Sequence, residues 1–490
     1  GGLIINSGDS RNELTYTRIS YAGANERLYY RTALGDVFAN IGVREDAKLS
    51  VNNSLISNSG SFGLHVDYDG ELNTFSDNTF ADNADAAMQM PINQFGNIDS
   101  NNLFTNNGSN SVEGYGTSIA LGDDQTWTAL SGDATYHIVA DVDIHAELTI
   151  SEGVKIVLGE GVRFEVHSDG VLMSNGVETN PVIFTSADIT GGRYWTGLTI
   201  RSSDSRNVLN YTEVSYAGSD VERQYYRTAL DDVHANIALT ENARLGINNS
   251  TISYGANRGI AVDYGAEFVN FQDNELSNNQ DDPILIHVNA VHGVDGGTVF
   301  TSNTDDIVRV YDDNMLDAQT WSKLSGAAAY RFMHDVDIEN DLVIEAGTRL
   351  EFEEDVEVTI HSNGSLLADG TSGNEIIFTS ANEAGQIRWA GIDVISTSAV
   401  NSLDYATVNW AGGNQRLFYN SGLVGDIHAN IGLQDNARLK LTNSRILNAG
   451  GYGVVLEAGA EINGSRDATT IINANTEFNN PDATADMLIE

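Results

Sequence analysis

Trp195-Thr196-Gly197-Leu198-Thr199-Ile200 decides the fold, because the same block returns as Trp389-Ala390-Gly391-Ile392-Asp393-Val394. The chain opens on it with the Trp missing, as Gly1-Gly2-Leu3-Ile4-Ile5. Outward from the block, more of the text repeats. Ser20-Tyr21-Ala22-Gly23 recurs as Ser215-Tyr216-Ala217-Gly218 and as Asn409-Trp410-Ala411-Gly412. Ser20 and Ser215 are 195 residues apart, and Ser215 and Asn409 are 194 apart. Ala39-Asn40-Ile41 matches Ala235-Asn236-Ile237 and Ala429-Asn430-Ile431. Self-similarity at a fixed long period is the mark of a stacked repeat architecture. The expected units are 1–195, 196–389 and a truncated third, 390–490.

A shorter period runs inside each unit. Leu49-Ser50-Val51 is followed 23 residues after Leu49 by Leu72-Asn73-Thr74, and each leads through a polar turn to a second apolar pair, Leu55-Ile56 and Thr79-Phe80. Short apolar-alternating runs separated by Asn, Asp, Gly and Ser read as strands and turns. A period near 23 is one turn of a parallel β-helix, with successive turns about 4.8 Å apart. A unit should then hold roughly eight or nine turns over about 40 Å, and the whole chain should run for about 100 Å. Asn52-Asn53-Ser54, Asn248-Asn249-Ser250 and Thr442-Asn443-Ser444 mark corners, where Asn tolerates left-handed backbone and bonds along the stack. The expected class is all-β, a single-stranded parallel β-helix solenoid.

Composition agrees. Forty-eight Gly against 4 Pro suits many tight turns between strands whose ladders need every N–H. No apolar run approaches the ~18 residues of a membrane span. With 25 Lys+Arg against 69 Asp+Glu, the formal charge of −44 repels nucleic acid, which excludes that partner class. The absence of Cys excludes disulfides, thiolate metal sites and cysteine nucleophiles. Acidic side chains in such number make Ca²⁺ the one candidate cofactor, with none required.

Leu148-Thr149-Ile150-Ser151-Glu152-Gly153-Val154, then Pro181-Val182-Ile183-Phe184-Thr185-Ser186, then Trp195-Thr196-Gly197 resembles bacterial right-handed parallel β-helix surface proteins of the pectate-lyase-like fold. Its second copy, Leu342-Val343-Ile344 through Ile376-Ile377-Phe378-Thr379-Ser380 to Trp389-Ala390-Gly391, does the same. The resemblance covers nearly all of the chain. It implies a right-handed coil and a bacterial, extracellular or cell-surface location. Such folds include lyases, hydrolases, adhesins and passive stalks, so fold alone does not give function.

Repetition filters the candidate sites, since a residue present in every copy is structural and a catalytic set should occur once. His234 and His428 match each other, yet Phe38 holds their place in the first copy. One singular cluster is Asp281-Asp282-Pro283-Ile284-Leu285-Ile286-His287, with His292 and Asp295 following; no Arg or Lys lies within it and Arg309 is the next along. No catalytic residue is assigned there. Weak Ca²⁺ candidates are Asp67 and Asp69, whose spacing resembles a Ca²⁺ loop, and the pairs Asp123-Asp124 and Asp312-Asp313.

The recurring surface candidate is a loop that gathers Arg and aromatic residues once per unit. It contains Arg27, Tyr29 and Tyr30, then Arg223, Tyr225 and Tyr226, then Arg416, Phe418 and Tyr419. Tyr and Arg dominate contact hot spots, so these loops either cover the apolar seam or meet a subunit or glycan. The ends carry apolar strands without polar caps, Leu3 and Ile5 at one and Met487 and Leu488 at the other. Open strand edges polymerise unless covered, so the expected partner is a second copy stacked head to tail, or the rest of a longer stalk. The functional expectation is an extracellular structural or adhesive rod. A polysaccharide-active lyase or hydrolase is the rival.

Overall fold

The computed structural model describes residues 1–31, 35–227, 230–420, 422 and 425–490. Strand takes 48% of the chain and helix 4%, so the all-β reading holds, and the long sheets are parallel throughout. The fold is a parallel β-helix in two compact units. One comprises Gly1–Ala261, Ala266–Asn270 and Ser277–Asp281; the other comprises Val262–Gly265, Phe271–Leu276 and Asp282–Glu490.

In unit 1 a first ladder stacks Leu3–Ile5, Ala39–Val43, Phe62–Val66, Ala86–Pro91 and Ser109–Tyr115 in parallel register. It continues through Thr135–Ile138, Lys155–Leu158, Val182–Ser186, Thr212–Ser215 and Thr251–Ser253. Each early turn adds one strand to a second ladder, such as Lys48–Asn52, and one to a third, such as Leu55–Ser57. Alternation along each strand turns Ile41, Leu49, Ile56, Leu64, Leu72 and Phe80 inward, each at most 1% exposed.

The corners explain the repeated polar text. Asn53, Asn249 and Asn443 all have φ between 51° and 53°, the left-handed region that Asn tolerates best after Gly. The Ser that follows each accepts a backbone N–H from the preceding turn at 3.0 Å: Ser54 from Thr17, Ser250 from Thr212, Ser444 from Ala406. Asn78 and Asn102, both fully buried, continue the corner as a side-chain ladder at 3.0 Å.

The deciding block has its own reason. Gly197 sits at φ 123° and Gly391 at φ 129°. A Cβ on Gly197 would lie 2.5 Å from the Ala235 carbonyl, and one on Gly391 would strike the Ala429 carbonyl. Only Gly fits. The Trp two residues before it is fully buried and donates its indole N–H to the Ser215 carbonyl (Trp195, 2.9 Å) or the Asn409 carbonyl (Trp389, 2.8 Å).

The turn count differs from the expectation. From Arg18–Ser20 on the third ladder, the chain enters the first ladder at Ala39–Val43 and returns to it seven turns later at Thr212–Ser215. A repeat is therefore seven turns and one further face, not eight or nine turns, because longer corners stretch some turns well beyond 23 residues, as between Ile156 and Phe184 and between Phe184 and Val214. The extra face enters where Thr117–Ile119 starts a new ladder beside the first. Unit 2 makes the same step, with Ala329–Phe332 stacked on Ile307–Tyr311 as Thr135–Ile138 is on Ser109–Tyr115.

Unit 2 runs through Arg349–Phe352, Ile376–Ser380, Ala406–Asn409, Arg445–Leu447 and Glu477–Asn479. Phe332, Phe352 and Trp389 stack inside it at 5.2 and 4.3 Å. An α-helix, Ala468–Asn473, is capped by Asp467, which accepts from the Thr470 N–H. Among the described residues no helix is long and apolar enough to cross a membrane.

Candidate functional site

Each Arg–aromatic loop is a small antiparallel hairpin. Tyr29–Arg31 pairs with Gly35–Val37, Tyr225–Arg227 with Asp231–Val233, and Phe418–Asn420 with Gly425–Ile427. Alternation sends neighbouring rings to opposite sides, which resolves whether the rings cover the seam or face out: one does each.

The first ring covers the coil. Tyr29 is 6% exposed among Leu28, Val37, Ala39 and Phe62, and Phe418 sits with Leu417, Ile427, Ala429 and Val455. Gly42 and Gly432 make the seat. A Cβ on Gly42 would meet the Tyr29 ring at 2.9 Å, and one on Gly432 the Phe418 ring at 2.5 Å. Tyr225 packs the same way on Val233, Ala235 and Ala261.

The second ring faces out. Tyr30, Tyr226 and Tyr419 are 55%, 52% and 61% exposed. Over each lies the guanidinium of Arg27, Arg223 or Arg416, at 5.9, 5.6 and 5.9 Å from the ring centre. Each Arg is held by an Asp on the return strand: Asp36 at 2.7 Å, Asp232 at 2.9 Å and Asp426 at 2.9 Å. The result is a flat Arg–Tyr platform of one geometry, built three times.

The hairpin roots carry the strongest polar anchors. Arg31 Nε lies 2.5 Å from Asp67 Oδ1, and the Asp67 side chain is fully buried. In the third copy Asn420 donates to Glu457 Oε1 at 2.5 Å instead. Beside the first root, burial pushes the His65 imidazole down to about 4, so it is neutral and its Nδ1 lies 2.8 Å from Gln89. Gln89 in turn donates to Glu113 at 2.6 Å.

The Ca²⁺ candidates do not converge. Asp67 is committed to Arg31, and Asp69 is exposed in the same corner. Asp123 accepts from Gln125 at 3.2 Å and Asp124 from the Glu147 N–H at 3.0 Å. Asp312 accepts from the Asp313 N–H at 3.0 Å, and Asp313 holds Asn314. These are turn bonds. Asp143, Glu165 and His167 do approach one another closely enough for a metal, but Arg163 and Arg201 both lie on Glu165.

The singular cluster is also absorbed by structure. Asp282, 1% exposed, is gripped by the Nε and Nη2 of Arg309, one turn on. The basic residue missing from the sequence stretch is thus present in space, and it neutralises that carboxylate. Asp281 lies 3.2 Å from Arg258. His287 is 3% exposed between the rings of Tyr264 and Tyr311, His292 Nδ1 meets the Asn289 carbonyl, and Asp295 accepts from Thr298.

At the ends, Leu3 and Ile5 lie opposite Ile41 and Val43, and Leu3 is 37% exposed. Met487 and Leu488 lie opposite Val454 and Val455, with Leu488 packed on the third hairpin's cluster.

Two features escaped the sequence reading. The first is a cleft of about 710 Å³ in unit 2, bordered by Glu354, Arg388, Gly412, Gly413, His428 and Asp482. Arg388 spans it, 3.1 Å from Asp482 and 4.9 Å above the Trp410 ring. The second is a carboxylate pair, the half-buried Glu357 and the buried Asp393. Their signal was a replacement between matched copies, Glu357 standing where the first unit has Arg163.

The chain matches no known protein family, and no curated protein matches it.

Proposed function

We propose that this chain is an extracellular structural or adhesive β-helix whose Arg–Tyr platforms are its contact points. The observation that carries the reading is the threefold construction of one exposed platform. The coil needs the inward ring of each hairpin for packing, but nothing in the packing requires the outward Tyr with an Arg held over it. Tyr and Arg in that arrangement suit a protein partner or the face of a sugar ring. Stacking of copies end to end into rods, through the outer edges of Leu3–Ile5 and Ala485–Ile489, belongs to the same reading, as does kinship with bacterial right-handed pectate-lyase-like surface proteins. Further coils of a longer polypeptide would cover those edges equally well.

The test is Tyr30→Ala, Tyr226→Ala and Tyr419→Ala together, compared with wild type by light scattering, electron microscopy and binding to a glycan array. Unchanged assembly and unchanged glycan binding would sink the platform reading.

One observation favours the polysaccharide-active rival. The unit 2 cleft is bordered by carboxylates, a histidine and an arginine, the group types that acid–base catalysis uses. Depolymerisation of an acidic or neutral polysaccharide by the wild type, lost in His428→Ala, would establish that rival.

A further inference from the structure

We propose that Glu357 and Asp393 form a Ca²⁺ site beneath the third hairpin. The argument starts from two copies of one hollow. In unit 1, Arg163 stands opposite Gly197 and Glu165 opposite Thr199. Arg163 lies within 3.0 Å of Glu165, 3.2 Å of Glu222, 3.6 Å of Asp143 and 3.8 Å of Asp141. Arg201 holds Glu165 as well. Four carboxylates there share two guanidinium groups.

In unit 2 the same register places Glu357 opposite Gly391 and Asp393 opposite Thr359. Glu357 therefore takes the place of Arg163, Asp393 that of Thr199 and Ile395 that of Arg201. Asp335 and Asp337 remain where Asp141 and Asp143 stood, and Gln415 replaces Glu222. Four carboxylates remain and both cations are gone. The groups facing the pair are Asp335 and Asp337 from the preceding strand, Glu457 from a later turn, and the neutral Gln415, Gln434 and Thr359. The nearest imidazole, His361, is committed to Asp337 at 2.8 Å.

A second observation points to a ligand. Asp393 is 2% exposed, and its Oδ1 is buried without a hydrogen-bond partner, while Oδ2 accepts from Gln434 at 2.6 Å. A buried carboxylate oxygen left unpaired is costly. Strand alternation puts Glu357 and Asp393 on one side of adjacent strands, with Cα atoms about 8 Å apart. Side chains of that length can converge on one ion. Gln415 and Gln434 now donate their amide nitrogens to the two acids, at 3.3 and 2.6 Å; turned over, each offers Oε1 instead. Carboxylate and amide oxygens completed by water suit Ca²⁺, which takes 6–8 oxygens flexibly, better than octahedral Mg²⁺ or nitrogen-seeking metals. Burial also holds the Glu357 carboxyl up to about 7, so a proton competes with the ion.

The site does not depend on the platform reading. Calorimetry and thermal melting of the EDTA-treated full chain at pH 7.5, with Ca²⁺ and with Mg²⁺, test it. One saturable Ca²⁺ event that raises the melting temperature is expected, with Mg²⁺ much weaker. Glu357→Gln should weaken it by about tenfold or more, since ligand charge sets Ca²⁺ affinity. Glu357→Arg with Asp393→Thr reinstates the unit 1 residues, so it should keep the fold by circular dichroism and abolish the event. Tyr419→Ala should leave it intact. Absence of saturable binding by the wild type, or its survival in the double variant, overturns the proposal.

Discussion

Arg31→Ala should loosen the first hairpin far more than Arg27→Ala, although each removes an Arg–Asp pair made by an Arg of the same hairpin. The Arg31 side chain is 22% exposed and its partner Asp67 fully buried, whereas Arg27 and Asp36 are 56% and 46% exposed. Removing one partner of a buried pair leaves an orphan charge and costs about 3 kcal/mol. An exposed pair gives less than about 1 kcal/mol, to which the ring contact with Tyr30 adds about 0.5. Hydrogen exchange read by mass spectrometry over residues 26–38 measures the opening directly, since the Leu28 N–H is bonded to the Val37 carbonyl at 2.8 Å. Exchange should speed up on the order of a hundredfold in Arg31→Ala and by no more than about tenfold in Arg27→Ala. Adding Asp67→Asn to Arg31→Ala should recover part of the loss, because the orphan charge is then gone. Equal effects of the two Arg variants, or no recovery from Asp67→Asn, would refute the reasoning.

Gly391→Ala should destabilise unit 2 by about 3 kcal/mol or more, because it combines φ 129° with a clash on the Ala429 carbonyl; urea denaturation gives the shift. The triple outward-Tyr variant should change stability by less than about 0.5 kcal/mol per site, so any lost assembly is a contact effect. In Ca²⁺-free buffer, the raised Glu357 carboxyl means that the folded chain holds a proton that the unfolded chain releases near 4.5. Its contribution is therefore fullest below about pH 4.5, declines as pH rises to about 7 and is flat above, by about 2 kcal/mol once partial exposure is discounted. Glu357→Gln should flatten that slope in denaturation midpoints taken across the range.

The sequence made legible whatever repeats by stacking: the Trp-x-Gly block, the Asn-Ser corners and the alternating strands. Each of these is dictated by a local backbone need, a positive φ or an inward apolar position. What stayed hidden are contacts between turns. Arg31 and Asp67 are 36 residues apart, Asp282 and Arg309 are 27 apart, and the turns between them vary in length. No fixed spacing announces such pairs. Asp67 therefore read as a turn residue and weak Ca²⁺ candidate, and Asp282 as an acid with no base nearby. The split role of the paired aromatics was hidden too, because Tyr29 and Tyr30 are alike in type and differ only in which side of a hairpin they occupy.

The extra face in each repeat changes what the platforms can do together. In unit 1 the first hairpin joins Arg18–Ser20 to Ala39–Val43, so it enters the first ladder. The second joins Thr212–Ser215 to Ala235–Leu239, so it leaves that same ladder for the next. Seven turns at about 4.8 Å separate the two platforms by about 35 Å along the stack, and they emerge at opposite edges of one sheet. A partner lying straight along one face cannot engage both. It must either wrap around the coil or bind each platform independently. Independent binding predicts that Tyr30→Ala and Tyr226→Ala each remove one equivalent of partner and leave the affinity of the remaining site unchanged. Wrapping predicts instead that either single change weakens the whole interaction steeply, because the second contact is then no longer intramolecular. The stoichiometry and affinity of the two single variants, measured by calorimetry against whichever glycan or protein the wild type captures, separate the cases. We expect loss of stoichiometry at constant affinity; a collapse of affinity in either single variant would show that one ligand spans both edges.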